Sequence, residues 1–93
     1  MILELLAVLL FAGLVVACLT WDTLMSWFAS NKSSISDYGE IVAEKLNNGN
    51  YSVVAGVFDK RRKNLSQQTW EASELDSELS SRLGGRSRLR VEI

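Results

Sequence analysis

The pattern of hydrophobic and polar positions divides this chain into three segments, residues 1–29, 30–38 and 39–93. Residues 1–21 are almost entirely apolar, and Glu4 is their one charged side chain. Beyond them, apolar side chains recur with helical spacing at Trp21, Leu24, Met25 and Phe28. Residues 30–38 are polar and rich in serine, and from Glu40 onward apolar and polar positions alternate as they do in strands.

The apolar opening predicts a membrane-spanning helix. At about 1.5 Å per residue, the uncharged run from Leu5 to Trp21 gives a helix of roughly 25 Å, close to the hydrocarbon thickness of about 30 Å. The amphipathic continuation lengthens it and places Trp21 and Trp27 at headgroup depth. We therefore predict a transmembrane helix with an amphipathic interfacial end over residues 1–29, followed by a linker over residues 30–38.

Three other interpretations of the opening run compete with a membrane-spanning helix. A cleaved signal peptide needs a basic start, but Lys32 is the first base of the chain. The tetrapeptide Val15-Val16-Ala17-Cys18 looks like a lipoprotein box. A helix buried against a sheet is the third, although a helix that is apolar all round needs neighbours on every side. Because Lys32 follows the run, the positive-inside tendency predicts a cytoplasmic C-terminal domain.

Four positions in the opening run are candidates for helix contacts inside a membrane: Glu4, Ala12, Gly13 and Ala17. Small side chains let two helix backbones approach closely. The Glu4 carboxylate either lies in the first helical turn, where the helix dipole favours negative charge, or pairs with a base on another subunit. We predict that these residues form a helix contact.

The segment ILELLAVLLFAG resembles the start of type IV pilins, through Glu4, Leu5, Leu6 and Gly13. The resemblance covers about a sixth of the chain, and the basic leader ending in glycine is missing. In that family these residues mark the assembling helix, but the helix predicted here stops near Ala29, far short of a pilin spine, and no function is carried over from the resemblance.

A β-hairpin is the clearest local prediction in the C-terminal part. Asn48-Gly49 is a preferred centre for a two-residue turn, because both positions need a positive φ angle. This turn pairs Leu46 with Tyr51, Glu44 with Val53 and Val42 with Ala55. A helix over residues 36–46 is the alternative.

The remaining pattern completes a β-β-β-α-β domain over residues 39–93. Residues 51–58 are apolar on both sides and predict a central strand, whereas residues 65–71 alternate weakly and predict an edge strand. A helix is predicted to start at a Ser73 cap and to end at Gly84-Gly85, before an alternating strand over residues 86–93. The fold class is therefore α+β, with one N-terminal transmembrane helix and a small α/β domain.

One sheet face lacks an obvious cover in this arrangement. A single short amphipathic helix can cover one face, and Val54 and Phe58 fall on the other. We predict that Val54, Phe58 and Trp70 form a protein interface.

Composition argues against catalysis. The 93 residues include no His and one Cys, so an intramolecular disulfide and a zinc site of the His and Cys type are excluded within one chain. The usual catalytic base and thiol nucleophile are missing, and no glycine pattern forms a phosphate loop. We predict a protein that is not an enzyme and that uses no cofactor or metal.

Charge supplies one further candidate surface. Lys60, Arg61, Arg62 and Lys63 are consecutive bases in a predicted turn, in a chain of net charge −1. They predict contact with anionic lipid or with an acidic partner. Nucleic acid is not expected, because aromatic residues are not interleaved with the bases.

These features together predict a single-pass membrane-anchored, non-catalytic accessory or assembly subunit, whose small α/β domain binds a larger membrane protein complex. The alternative is a self-assembling structural subunit, either a pilin-like filament or a homo-oligomer, that associates through the hydrophobic helix. The expected partners are membrane lipid and either a larger membrane complex or a second copy of the chain.

Overall fold

The described part of the protein forms a five-stranded mixed sheet with two helices on one face. The computed structural model describes residues 13–93. Its elements are β1 (Gly13–Leu19), α1 (Trp21–Asn31), β2 (Tyr38–Lys45), β3 (Tyr51–Phe58), β4 (Asn64–Leu75), α2 (Ser77–Leu83) and β5 (Arg88–Glu92). The strands lie in the order β1-β4-β3-β2-β5. Strand β1 is parallel to β4, and the other neighbouring pairs are antiparallel.

A strand and a short helix replace the described part of the predicted transmembrane helix. Thr20 is extended, and its hydroxyl accepts a hydrogen bond from the Thr23 N–H (3.1 Å), so α1 begins only at Trp21. Within residues 13–93, no helix has both the length and the apolar character needed to cross a membrane. The predicted transmembrane helix is therefore wrong, and the single-pass membrane location with a cytoplasmic C-terminal domain, which was derived from it, is wrong as well.

The residues predicted to form helix contacts in the membrane are not helical where the structure describes them. Gly13 and Ala17 lie in β1, where Gly13 pairs with Thr69 of β4. Glu4 and Ala12 lie outside the described residues.

The helical spacing predicted from Trp21 to Phe28 is correct, but this face packs on the sheet. Leu24 and Phe28 of α1 are fully buried, together with Leu79 and Leu83 of α2. They form one core with apolar side chains from every strand, including Leu19, Ile41, Val53, Val57, Trp70 and Val91. A helix that is apolar on one side needs one neighbouring surface, and the sheet provides it.

The hairpin between β2 and β3 forms, but its register differs from the predicted one by one residue. Lys45 pairs with Tyr51, and Ala43 pairs with Val53. The Leu46 N–H donates to the carbonyl oxygen of Asn50 (2.7 Å), and Gly49 takes the positive φ angle of 88°. This closes a three-residue loop with glycine in the left-handed position rather than a two-residue turn.

The C-terminal elements follow the predicted order with different boundaries. Strand β4 lies inside the sheet between β1 and β3, so the prediction of an edge strand is wrong. It continues to Leu75, and Asp76 rather than Ser73 caps α2. Gly84 ends that helix at a φ angle of 59°, as expected of glycine at this position. The fold class is thus mixed α/β, in place of a membrane helix joined to a β-β-β-α-β domain.

Candidate functional site: a basic cleft

The four consecutive bases lie in a tight turn between β3 and β4. The Asp59 carboxylate oxygen Oδ1 accepts hydrogen bonds from the N–H groups of Arg61 (2.8 Å) and Lys63 (2.9 Å). The Asp59 N–H in turn donates to the Lys63 carbonyl oxygen (3.1 Å), and Arg62 takes a positive φ angle of 65°. Hydrogen bonds to the backbone and carboxylate of Asp59 therefore hold the turn, and the side chains of all four bases are exposed.

The connection from α1 to β2 lies beside this turn. The Asp37 N–H donates to the carbonyl oxygen of Phe58 (2.8 Å), which joins the start of β2 to the end of β3. Ser33 and Ser36 close a small turn, in which the Ser36 N–H donates to the Ser33 carbonyl oxygen (3.1 Å) and the Ser33 N–H donates to the Ser36 hydroxyl (2.8 Å). Both walls of the site are thus held by hydrogen bonds without a ligand.

The two loops border an open recess of about 340 Å³. We name it the basic cleft, and it is lined by Ser34, Ile35, Ser36, Asp59, Lys60 and Arg61. Ile35 is 63% exposed, one of three large hydrophobic side chains that are strongly exposed among the described residues. The cleft therefore combines one apolar contact point, two serine side chains and two cations.

The electrostatics of the basic cleft favour an anion. Asp59 is its one acid, and the oxygen Oδ1 of that carboxylate already accepts from two N–H groups of the turn. Within residues 13–93, no acidic side chain forms an ion pair with any of the bases Lys60 to Lys63. Their positive charge therefore faces solvent, where it attracts negatively charged groups over about 8–10 Å at ordinary ionic strength.

The sequence pattern predicted the wall of this site formed by Lys60 and Arg61, but not the wall formed by residues 34–36. Lys60 and Arg61 line the basic cleft, whereas Arg62 and Lys63 belong to the same turn but not to the lining. Ser34, Ile35 and Ser36 were assigned to a linker. The one sequence signal for them was Ile35, a single apolar residue within a serine-rich loop, and it was weak because single exposed apolar side chains are common on protein surfaces.

The residues predicted as a protein interface are buried. Trp70 lies in the helix-covered core and contacts Trp27 edge to face, with ring centroids 6.1 Å apart. Val54 is on the other sheet face, where Phe58 stacks on Tyr38 at 5.4 Å and the Arg90 guanidinium lies 4.0 Å from the centre of the Tyr38 ring. In this conformation Val54, Phe58 and Trp70 offer almost no surface to a partner.

The described residues also show where reactive groups lie. Cys18 is exposed at the end of β1, and desolvation, followed by the nearby negative charges of Glu74 and Asp76, raises the pKa of its thiol. A raised pKa keeps the thiol protonated and weakens it as a nucleophile. Within residues 13–93, no group of three or more His, Cys, Asp or Glu side chains is arranged to hold a metal ion.

Comparisons of the chain with protein-family models, with curated proteins and with solved structures found no match. The function must therefore be argued from the geometry of the basic cleft.

Proposed function

We propose that this protein is a non-catalytic binding module that docks an acidic segment of a partner protein in the basic cleft. The observation that carries the proposal is the placement of Ile35 and the cations Lys60 and Arg61 in one concave site. An exposed apolar side chain beside exposed cations suits a peptide with carboxylates around an apolar residue, because each group then meets its complement.

The shape of the site favours a protein segment over a lipid surface. A membrane is broad and flat, so it is contacted best by side chains that project, whereas a recess of about 340 Å³ can receive a side chain of a bound segment. The hydroxyls of Ser34 and Ser36 add hydrogen-bonding groups that suit a peptide backbone. Because both loops are already fixed, little ordering opposes binding.

The proposal is tested by titrating the full-length protein with a fluorescently labelled peptide of glutamates around a central leucine. In Lys60→Gln/Arg61→Gln, we expect the affinity to fall about tenfold, since two charge contacts of somewhat under 1 kcal/mol each are lost. Binding should also weaken as salt is added. The same peptide with glutamine in place of glutamate should not bind.

A matched control separates a site from general attraction. Lys63→Gln/Arg88→Gln removes two exposed bases outside the cleft lining and gives the same net charge. We expect this control to bind nearly as well as the unmodified protein. Equal losses in both double variants would show that the peptide responds to net charge, and the proposal would be wrong.

Two further measurements complete the test. Ile35→Ser should weaken peptide binding while leaving its salt dependence unchanged, because it removes only the apolar contact. Vesicles containing phosphatidylserine should bind more weakly than the peptide. Strong vesicle binding without peptide binding would assign the cations to a lipid surface instead.

A further inference from the structure

The two edges of the sheet differ sharply in their protection. Strand β5 is short and carries the exposed charges of Arg88, Arg90 and Glu92, which discourage pairing with another strand. Strand β1 has seven residues, GLVVACL, with no charge and no proline. Its side chains Leu14 and Val15 are 56% and 79% exposed. An uncharged, exposed edge of this kind is a ready site for strand addition.

Only one side of β1 is occupied by the described part of the chain. It pairs with β4 from Gly13 to Leu19, and no other strand within residues 13–93 pairs with it. The N–H and C=O groups on its outer side therefore lack strand partners among these residues. Of the three strongly exposed large hydrophobic side chains in residues 13–93, two are neighbours on this one strand.

We propose that β1 pairs antiparallel with β1 of a second copy of this chain, joining the two sheets into one continuous sheet. The proposal concerns a different surface from the basic cleft and does not depend on it. A twofold axis perpendicular to the sheet relates two such strands, so one contact is made by the same residues on both copies. The outer edges of the joined sheet are then both β5, whose charges stop further growth.

The absence of charge on β1 allows a second copy of the chain to be its partner. Because β1 is uncharged, it can face itself without like-charge repulsion. Glu71 and Glu74 lie on β4, one strand away from the contact, and Asp76 lies beyond the end of β1, where its N–H donates to the Leu19 carbonyl oxygen. The two β4 strands would be about 14 Å apart, three strand spacings, which exceeds the screening length of about 8–10 Å.

The register that pairs the most residues is centred on Val16, the middle of β1. In this register Val16 faces its own copy, Val15 faces Ala17, and Leu14 faces Cys18. Leu14 shares its sheet face with Trp70, its partner in β4, so pairing would cover an apolar side chain that extends the core.

Mass measured by sedimentation equilibrium of the full-length chain tests the pairing. We expect a concentration-dependent dimer. Val15→Lys, at a position that is largely exposed, should weaken the dimer at least about tenfold, since a charge on an edge strand opposes pairing. The control Ser26→Lys adds the same charge on the exposed side of α1 and should leave the dimer unchanged. A monomer at all concentrations, open-ended growth, or an unaffected Val15→Lys dimer would overturn the proposal.

A cross-link gives a second test that does not depend on the folding of the lysine variant. Leu14→Cys places a thiol opposite Cys18 of the other copy, so mild oxidation should give a disulfide-linked dimer. The two positions within one chain are roughly 13 Å apart along the strand, too far to bridge internally. The unmodified protein, in which Cys18 faces Leu14, should not cross-link. If the Leu14→Cys variant forms a dimer but no disulfide links the two copies, this register is wrong.

Peptide binding in the basic cleft should be unaffected by Val15→Lys, so the two proposals fail separately.

Discussion

Gly39 of β2 lies against the ring of Phe28 in α1, so adding one carbon at Gly39 tests how closely α1 packs on the sheet. A Cβ atom built there would lie 2.5 Å from Cε1 of Phe28 and 3.0 Å from two other ring atoms. Phe28 is 2% exposed, so the ring has little room to move away. We expect Gly39→Ala to lower the free energy of unfolding by about 1–3 kcal/mol through overpacking.

The control for this prediction is a double variant. In Phe28→Leu the ring atoms Cε1 and Cζ, which include the closest one to the new Cβ, are gone, so adding Gly39→Ala should cost much less than it does in the unmodified protein. The coupling between the two substitutions should amount to about 1–2 kcal/mol, measured by urea denaturation of the four proteins. Additive effects would contradict the close approach of Phe28 to β2.

At the residue scale, the sequence signals were most reliable where chemistry is local. The bases Lys60 to Lys63 were identified as an exposed charged turn, because four adjacent cations cannot be buried together. Ser34 and Ile35 could not be connected with that turn from the sequence. They reach it because β2 pairs with β3 as far as Tyr38 opposite Phe58, and the Asp37 N–H donates to the Phe58 carbonyl oxygen. The hairpin predicted from the alternating pattern began at Glu40 and stopped short of this contact.

Among the elements, one side chain contributes to the starts of both α1 and α2. The oxygen Oδ1 of Asp76 accepts from the Leu79 N–H (2.8 Å), which caps α2, and from the Trp21 N–H (3.3 Å) at the start of α1. We expect Asp76→Ala to lower the free energy of unfolding by about 2 kcal/mol, at the upper end of the range for a lost cap.

Two variants check the reason for this loss. Asp76→Asn keeps an acceptor oxygen and should cost only a few tenths of a kcal/mol. Thr20→Ala removes the cap of α1 alone and should cost about 1 kcal/mol, less than Asp76→Ala. If chemical denaturation ranks Thr20→Ala above Asp76→Ala, the shared cap is not the cause.

Element types were predicted better than their partners. Asn48-Gly49 indicated a hairpin, but the choice between a two-residue and a three-residue loop shifts every pair by one position and exchanges the two faces of β2. Residues 13–19 were assigned to a helix because an uninterrupted apolar run fits either a buried strand or a helix. Thr20 followed by Trp21 and Asp22 was an overlooked helix-start signal, a cap with an acid in the first turn.

At the scale of the whole molecule, the fold depends on residues 13–31 packing with the sheet instead of forming part of a membrane helix. In the structure, β1 and α1 are integral to the domain that carries the basic cleft. Strand β1 forms one edge of the sheet, and α1 supplies Leu24 and Phe28 to the core. The end of α1 also meets β4, where the Ser66 hydroxyl donates to the side-chain oxygen of Asn31 (3.3 Å). The basic cleft therefore belongs to a domain in which residues 13–31 fold with the sheet.

Backbone chemical shifts and cross-strand nuclear Overhauser contacts, measured by NMR on the full-length chain, test this claim most directly. The structure predicts strand shifts for residues 13–19, a break at Thr20, helical shifts for residues 21–31, and contacts between Val16 and Ala72 from the parallel pairing of β1 with β4. Continuous helical shifts from residue 13 through residue 29, without contacts to β4, would contradict it.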